Sequence, residues 1–161
     1  MSAVGIAGGL LAAGTPAFAG QATNTVDAKV TVVSGCSLQT SDLMFVAPNP
    51  IIGLVIDSST TLTVKCTPNT DYTVDIDDGL QPQGNNKRRM VSALGVPIAY
   101  NVYFDEARSQ SKVWGKGQGK NYAGNSGTGA AQVIPVYGRV TLAALIPAGG
   151  YKDTLTVTLN F

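Results

Sequence analysis

The sequence predicts an all-β fold, namely an immunoglobulin-like β-sandwich. Short runs of alternating apolar and polar residues follow one another along most of the chain. Glycine (19 residues) and proline (8 residues) are common between these runs, where they favour turns. No stretch keeps the apolar period of about 3.6 residues that an amphipathic helix needs. About seven or eight short strands are typical of a two-sheet sandwich, although the spacing alone also allows a closed barrel.

The amino-terminal end is typical of an export signal, predicted for residues 1–19. An apolar or small-residue run ends at Pro16, and Ala17-Phe18-Ala19 then forms an A-x-A cleavage site. No Lys or Arg precedes the apolar run, which leaves open a true start upstream. No later stretch is apolar enough over the length that a membrane helix needs. The mature protein is therefore expected to be exported and not integral to a membrane.

The predicted strands follow in order after the signal. The first covers residues 25–32, in which valines and an alanine alternate with Thr, Asp and Lys. The glycine-rich stretch 115–129 is predicted to be a flexible surface loop. The remaining predicted strands are at 43–47, 60–66, 72–77, near Met90, and at 97–104, 133–140 and 153–161.

The first and last predicted strands differ from the others in position. The last alternates without a break to the final residue, so the sandwich is expected to stop one strand early. The first lies outside the segment between the two cysteines. Either strand can pair within its own domain, or the first strand of one molecule can complete the sandwich of the next. Both alternatives stay open, because a strand with one buried face has the same periodicity in each.

The two cysteines, Cys36 and Cys66, are predicted to form a disulfide. An even cysteine count in an exported chain favours this pairing, which would stabilise the fold by about 3–4 kcal/mol in the chain-entropy model. The alternative, a metal site, lacks ligands, since the sequence has no histidine and no third cysteine.

The composition limits the partners. Hydrophobic residues make up 44% of the 161 residues, charged residues 13%, and the net charge is +1. This balance excludes a disordered chain and gives no reason to expect nucleic acid as a partner. So few charges are expected where neighbouring molecules cover much of the surface. The basic cluster Lys87-Arg88-Arg89 is predicted to lie in a solvated loop.

No catalytic site is predicted, and no cofactor. The absence of histidine removes the commonest general base. Ser126 lies in a glycine-flanked loop without a base, and 115–120 is one residue short of a phosphate loop. Asp75 and Asp77 fall on one strand face, which favours a solvated edge over a calcium site. Trp114 and the tyrosines are predicted to fill the core, with a carbohydrate platform as the alternative.

Several motifs are familiar as a set: Tyr100-Asn101-Val102-Tyr103-Phe104-Asp105 with Ala107-Arg108, Trp114-Gly115, Val136-Tyr137-Gly138 and the carboxyl-terminal stretch 150–159. Through these motifs the chain resembles the spore coat protein U family, whose members include subunits of archaic chaperone–usher pili of the Csu type. The cysteine spacing and Arg89-Met90 also match. The resemblance implies an immunoglobulin-like β-sandwich that lacks its final strand and is completed by a donor strand from a neighbouring subunit.

The resemblance also implies roles for the two ends of the chain. Residues 20–34 would be the donor extension and 35–161 the pilin domain. The donor side chains would be Val26, Ala28, Val30 and Val32. The acceptor groove, which also binds the chaperone, would be lined by Leu155, Val157, Leu159 and Phe161, and the Phe161 carboxylate would meet basic residues of the chaperone.

The function implied by the resemblance is structural. The chain would be a non-enzymatic subunit that pairs with identical or related pilus subunits, a periplasmic chaperone and an outer-membrane usher, without nucleic acid. The homopolymer would be an adhesive fibre for attachment and biofilm formation, exported through the periplasm to the cell surface. Two alternatives stay open: a secreted coat or matrix protein, and a monomeric carbohydrate-binding β-sandwich.

Overall fold

The computed structural model describes residues 26–48, 51–82, 84 and 87–161. The predicted signal peptide and the first residues of the predicted donor extension lie outside this part of the chain. The chain divides into two units, Met1–Val32 and Val33–Phe161. In the first unit, residues 26–32 belong to no strand. All of the elements below belong to the second unit.

The second unit consists of two antiparallel sheets. The larger sheet has the order β1-β2-β7-β5-β4-β8, and the smaller has the order β6-β3-β9. Two separate sheets confirm the all-β sandwich, and the barrel alternative is wrong. The strands in the described residues are β1 (Cys36–Thr40), β2 (Val55–Cys66), β3 (Asp71–Ile76), β4 (Arg88–Ser92), β5 (Pro97–Tyr103), β6 (Tyr122–Ser126), β7 (Gln132–Thr141), β8 (Tyr151–Lys152) and β9 (Val157–Asn160), with a 3₁₀ turn at Gln110–Lys112.

The core lies between the inner faces of the two sheets. Successive side chains of a strand point to opposite faces, so each alternating run places one apolar row inside. Leu62 faces Ile134 across the β2–β7 pair. Val74 of β3 closes the core from the other sheet, where it is fully buried. The predicted strands at 60–66, 72–77, 97–104 and 133–140 are confirmed within a few residues.

Trp114 lies at the centre of an aromatic cluster. It is fully buried, and its indole Nε1 donates to the Val74 carbonyl at 2.9 Å. The rings of Phe104 and Tyr122 pack against it at centroid distances of 6.0 and 5.7 Å. The prediction that these aromatics fill the core is confirmed, since a buried indole needs both apolar contacts and an acceptor for its N–H.

Three sequence predictions about elements are wrong. Residues 43–47 belong to no strand, whereas the strand predicted at 60–66 is present and only begins earlier, at Val55. β6 lies inside the stretch predicted to be a flexible loop. Of its residues, Tyr-Ala-Gly-Asn-Ser, only the tyrosine favours strands, and the pairing of β6 with β3 is a long-range contact that the local sequence does not indicate. The strand predicted at 153–161 is shorter, since only Val157–Asn160 pairs as a strand.

Arg88 is buried, so the prediction of a solvated basic loop is wrong for this residue. Its Nε donates to the Asp77 carbonyl at 2.8 Å, and its Nη2 donates to the carbonyls of Ile76 at 3.1 Å and Trp114 at 2.8 Å. Burial lowers the pKa of the Arg88 guanidinium. These carbonyls come from the end of β3 and a distant loop, and only the folded chain brings them together.

The predicted disulfide is present and joins β1 to β2. Cys36 and Cys66 are directly opposite in the register of the two strands. The bridge therefore fastens the edge strand of the larger sheet at its first residue. Within the described residues, no helix has the length and apolarity to cross a bilayer.

Candidate subunit interface

One edge of the smaller sheet is formed by β9, and the other is formed by β6. Among the described strands, β9 pairs only with β3, from Thr73 opposite Asn160 to Ile76 opposite Val157. Within the part of the chain that the structure describes, no strand pairs with its other side, so the backbone groups of this open edge can accept a further strand. The side chains of β9 alternate: Val157 and Leu159 are half-buried against the core, whereas the residues between them face outward. The edge thus combines free backbone groups with an apolar row.

The Asp77 carboxylate fixes the beginning of β9. Its Oδ1 accepts hydrogen bonds from the backbone N–H of Thr156 at 2.8 Å and of Gly79 at 3.0 Å. The Asp77 N–H donates in turn to the Thr156 carbonyl at 3.0 Å. Burial alone would raise the pKa of Asp77, but the hydrogen bonds from Thr156 and Gly79 outweigh it and hold the pKa below its ordinary value.

A second carboxylate, Asp153, fixes the residues before β9 and links them to β5 of the larger sheet. Its Oδ2 accepts the Tyr100 hydroxyl at 2.7 Å, and its Oδ1 accepts the N–H groups of Leu80 at 3.0 Å and Thr154 at 2.9 Å. Burial and the hydrogen bond to Asp153 raise the pKa of Tyr100, so its hydroxyl remains a donor at all physiological pH values. The start of β9 is therefore tied to both sheets before its apolar row begins.

The predicted acceptor residues lie along this edge. Leu155, Val157 and Leu159 are half-buried in one row that packs against the core, whereas the side chain of Phe161 is 62% exposed. The predicted donor residues are exposed and lie in no strand. Val26, Val30 and Val32 expose 92%, 88% and 81% of their surface, and Ala28 is also exposed. Their roles as donor and acceptor stay predictions.

A further open segment, residues 41–47, has no role predicted from the sequence. Leu43 and Phe45 are half-buried against the core, whereas Met44 and Val46 are 73% and 72% exposed. The inner side chains pack over Gly138 in the middle of β7. The sequence does contain an apolar/polar alternation in this segment and a Val-Tyr-Gly motif that ends at Gly138. Nothing in the local sequence indicates that the two lie in contact.

The chemistry of this region is that of strand binding. Apolar side chains and backbone hydrogen-bonding groups dominate it, and the described residues contain no group of three or more His, Cys, Asp or Glu side chains placed to hold a metal ion. Asp75, considered as a calcium ligand from sequence, instead accepts hydrogen bonds from the Gly117 N–H at 3.3 Å and the Asn160 amide at 3.2 Å. Its carboxylate joins β3, β9 and the loop beside them.

The fold and the open edge define a class: a β-sandwich domain of the kind that can bind an added strand. The family model of the Spore Coat Protein U domain matches residues 22–158, and the chain belongs to this family. The resemblance predicted from the motifs is thus confirmed. The chain is also 27% identical over 166 residues to Protein U of Myxococcus xanthus, with 94% of this chain and 91% of that protein covered.

Among solved structures, the chain is similar to one chain of a CsuC–CsuE chaperone–tip adhesion subunit pre-assembly complex. That complex comes from the archaic chaperone–usher Csu pili of Acinetobacter baumannii. The TM-score is 0.61 at 25% identity, and the match covers 81% of this chain. The chain spans 40% of the length of that solved chain.

Proposed function

We propose that this chain is a structural subunit of a surface pilus that polymerises by donor-strand complementation. The observation that carries the proposal is the open edge of β9, where Leu155, Val157 and Leu159 are only half-buried. An added strand supplies partners for the backbone and covers the apolar row in one step. The membership of the family and the similarity to a chain from a pilus assembly complex support this function.

The proposed donor is the extension 20–34 of a neighbouring copy, which enters the pilin domain 35–161. Its valines and alanine, at 26, 28, 30 and 32, would face the core of the neighbour, and the polar residues between them would face water. Burying these four side chains contributes roughly 6–8 kcal/mol before the cost of ordering the segment. Backbone pairing adds to this, so joints between subunits should open slowly.

Assembly partners complete the proposal. A periplasmic chaperone would occupy the β9 edge first, because an uncovered apolar edge favours aggregation. An outer-membrane usher would then exchange it for the next subunit. The Phe161 carboxylate is the proposed contact for basic chaperone residues, and the exposure of this residue supports access to it. The fibre would reach the cell surface through the periplasm and act there in attachment and biofilm formation, without catalysis by the subunit.

The test uses two substitutions that add the same charge to opposite faces of the donor segment. Cells would express the chain with its chaperone and usher, and fibres would be examined by electron microscopy. Val30→Asp should abolish fibres because it places a charge in the groove, whereas Thr31→Asp should leave them intact. Deleting 20–34 should preserve chaperone binding and abolish fibres. Normal fibres from the Val30→Asp chain would refute the donor assignment.

The similarity to Protein U and the family description favour one second function, a coat protein that associates without an ordered fibre. The same micrographs distinguish the two functions. Rods several subunits long indicate a pilus, and amorphous layers indicate a coat. The carbohydrate-binding alternative predicts a monomer on a sizing column, and a series of polymers would exclude it.

A further inference from the structure

The amino-terminal extension joins the sandwich at a fixed residue, Gly35. The Gly35 N–H donates to Thr67 Oγ1 at 3.2 Å, and the Gly35 carbonyl accepts from the Thr67 N–H at 3.0 Å. The Thr67 hydroxyl lies 2.7 Å from the Thr70 hydroxyl, within hydrogen-bond distance. The next residue, Cys36, is joined to Cys66 by the disulfide. Because its N–H, its carbonyl and its neighbour are all held, Gly35 stays beside the end of β2.

Gly35 and the carboxyl-terminal residue lie at the same end of the sandwich. β2 ends and β3 begins at this end, the turn end (residues 66–71), and Gly35 lies there through its bonds to Thr67. β9 is antiparallel to β3, so it runs from the opposite end, the far end, toward the turn end. The apolar row from Leu155 to Phe161, the acceptor row, therefore has Phe161 toward the turn end and Leu155 toward the far end.

The acceptor row and the donor segment have the same length. The row advances six residues from Leu155 to Phe161, which is about 20 Å in a strand. The donor segment also advances six residues, from Val26 to Val32, so a donor that fills the row spans it from end to end. Each strand pair in the described chain is antiparallel, and this is the slightly more stable arrangement. We therefore expect a donor antiparallel to β9, with Val32 at the far end beside Leu155.

The extension cannot reach this position in its own sandwich. Only Val33 and Ser34 separate Val32 from Gly35, and three residue steps span at most about 11 Å. The far end of the acceptor row lies about 20 Å from the turn end, where Gly35 is held. With so short a linker, the extension can lie along its own row only with Val32 near the turn end, and it then runs parallel to β9.

We propose that the two-residue linker 33–34, anchored at Gly35, prevents a copy from completing its own sandwich and directs its extension to a second copy. This inference rests on the proposed function and explains the choice of partner. When Val32 lies at the far end of a neighbour's row, that end is within about 11 Å of the Gly35 that carries the extension. The turn end of one copy then meets the far end of the next, a head-to-tail contact that continues from copy to copy.

The test lengthens the linker. A variant with about twelve Gly and Ser residues inserted between Ser34 and Gly35 would be expressed with the chaperone and usher, beside the wild type. Its linker spans about 20 Å on average, which is enough to reach the far end. The effective concentration of the extension at its own row is then about 1 mM, roughly a hundredfold above that of other copies at about 10 µM. The variant should form no fibres in electron micrographs and should run as a monomer on a sizing column.

Two insertions are the controls for a changed chain length. The same long insert between Gln21 and Ala22 precedes the donor segment and leaves the linker unchanged, so fibres should persist. A single glycine between Ser34 and Gly35 extends the reach only to about 14 Å, and fibres should persist here too. Fibres at the wild-type level from the long-linker variant would overturn the role of the linker and leave the donor function standing. The absence of fibres in the wild type would overturn the donor function itself.

Amide hydrogen exchange in the purified long-linker monomer shows whether its own extension fills the row. Exchange at 157–160 should be about tenfold or more slower than in the same variant with Val30→Asp, which places a charge against the row. Exchange in the disulfide-fastened β1 should be the same in both proteins, which shows that both retain the fold. Equal exchange at 157–160 would refute the inference, since the longer linker would then not let the chain complete itself.

Discussion

The buried Arg88 gives the sharpest test of how this sandwich is stabilised. In an Arg88→Met variant, the carbonyls of Ile76, Asp77 and Trp114 each lose a donor. Hydrogen bonds from a charged donor contribute roughly 1.5–3 kcal/mol each, and three of them total about 4.5–9 kcal/mol. Two costs disappear with the guanidinium: the desolvation of its charge, and the burial of its Nη1 atom without a hydrogen-bond partner. From the lower end of that range, about 1.5 kcal/mol is subtracted for these relieved costs, so the expected net loss in the free energy of unfolding is about 3 kcal/mol.

Urea denaturation with the disulfide intact measures this loss, and the neighbouring Arg89→Met is the control. Arg89 donates to the Gln81 carbonyl at 3.2 Å and the Pro82 carbonyl at 3.4 Å, both in an exposed setting. Its removal should cost less than about 1 kcal/mol. Equal losses in the two variants would show that the three carbonyls do not depend on Arg88, and the reasoning from buried hydrogen bonds would be refuted.

Three further predictions follow from the same contacts. The folded-state pKa values of Asp57, in its hydrogen bond with Arg139, and of Asp77 are both lowered, so the stability they add is present above about pH 4 and is lost as the pH falls further. The urea concentration at the unfolding midpoint should therefore fall as the pH is lowered below about 4, and it should fall less in Asp77→Asn than in the wild type. If the midpoint depended on pH in the same way in both proteins, this prediction would be contradicted. Replacing Cys36 and Cys66 by Ser should cost about 3–4 kcal/mol by the same urea assay, and a loss under about 1 kcal/mol would count against the loop-closure estimate. Trp114→Phe should cost about 2 kcal/mol through the lost bond to Val74 and the cavity left behind. The control is Tyr151→Phe, which removes only an exposed hydrogen bond to the Pro147 carbonyl and should cost under about 1 kcal/mol. Equal losses in the two variants would show that the buried bond and packing of Trp114 do not stabilise the fold more than an exposed bond does.

Strands with one buried face could be predicted from the sequence, because burying one face places an apolar residue at every second position. β3, β5 and β7 all carry that pattern, and so does the second half of β2. β1 and β6 are short, and what makes them strands is pairing with distant partners: β1 pairs with β2 beside the disulfide, and β6 with β3. Such pairing has no local signature, so these two strands could not be predicted.

The candidate site could be predicted in part for the same reason. The row of Leu155, Val157 and Leu159 is visible as an alternation, and the disulfide follows from the cysteine count. That β9 is an edge depends on which strands pair in the folded sheets. The contact of Leu43 and Phe45 with Gly138 joins residues far apart in the chain, and no spacing indicates it. The burial of Arg88 likewise depends on carbonyls from two remote segments.

The polar network explains how an edge strand can stay in register without a second neighbour. β9 pairs on one side only and buries only half of its apolar row, so apolar contacts alone hold it weakly. Asp77 and Asp153 fix the residues just before it, and Arg88 fixes the end of β3, its sole strand partner in the described chain. The β9 edge is therefore held in place by contacts within the chain itself.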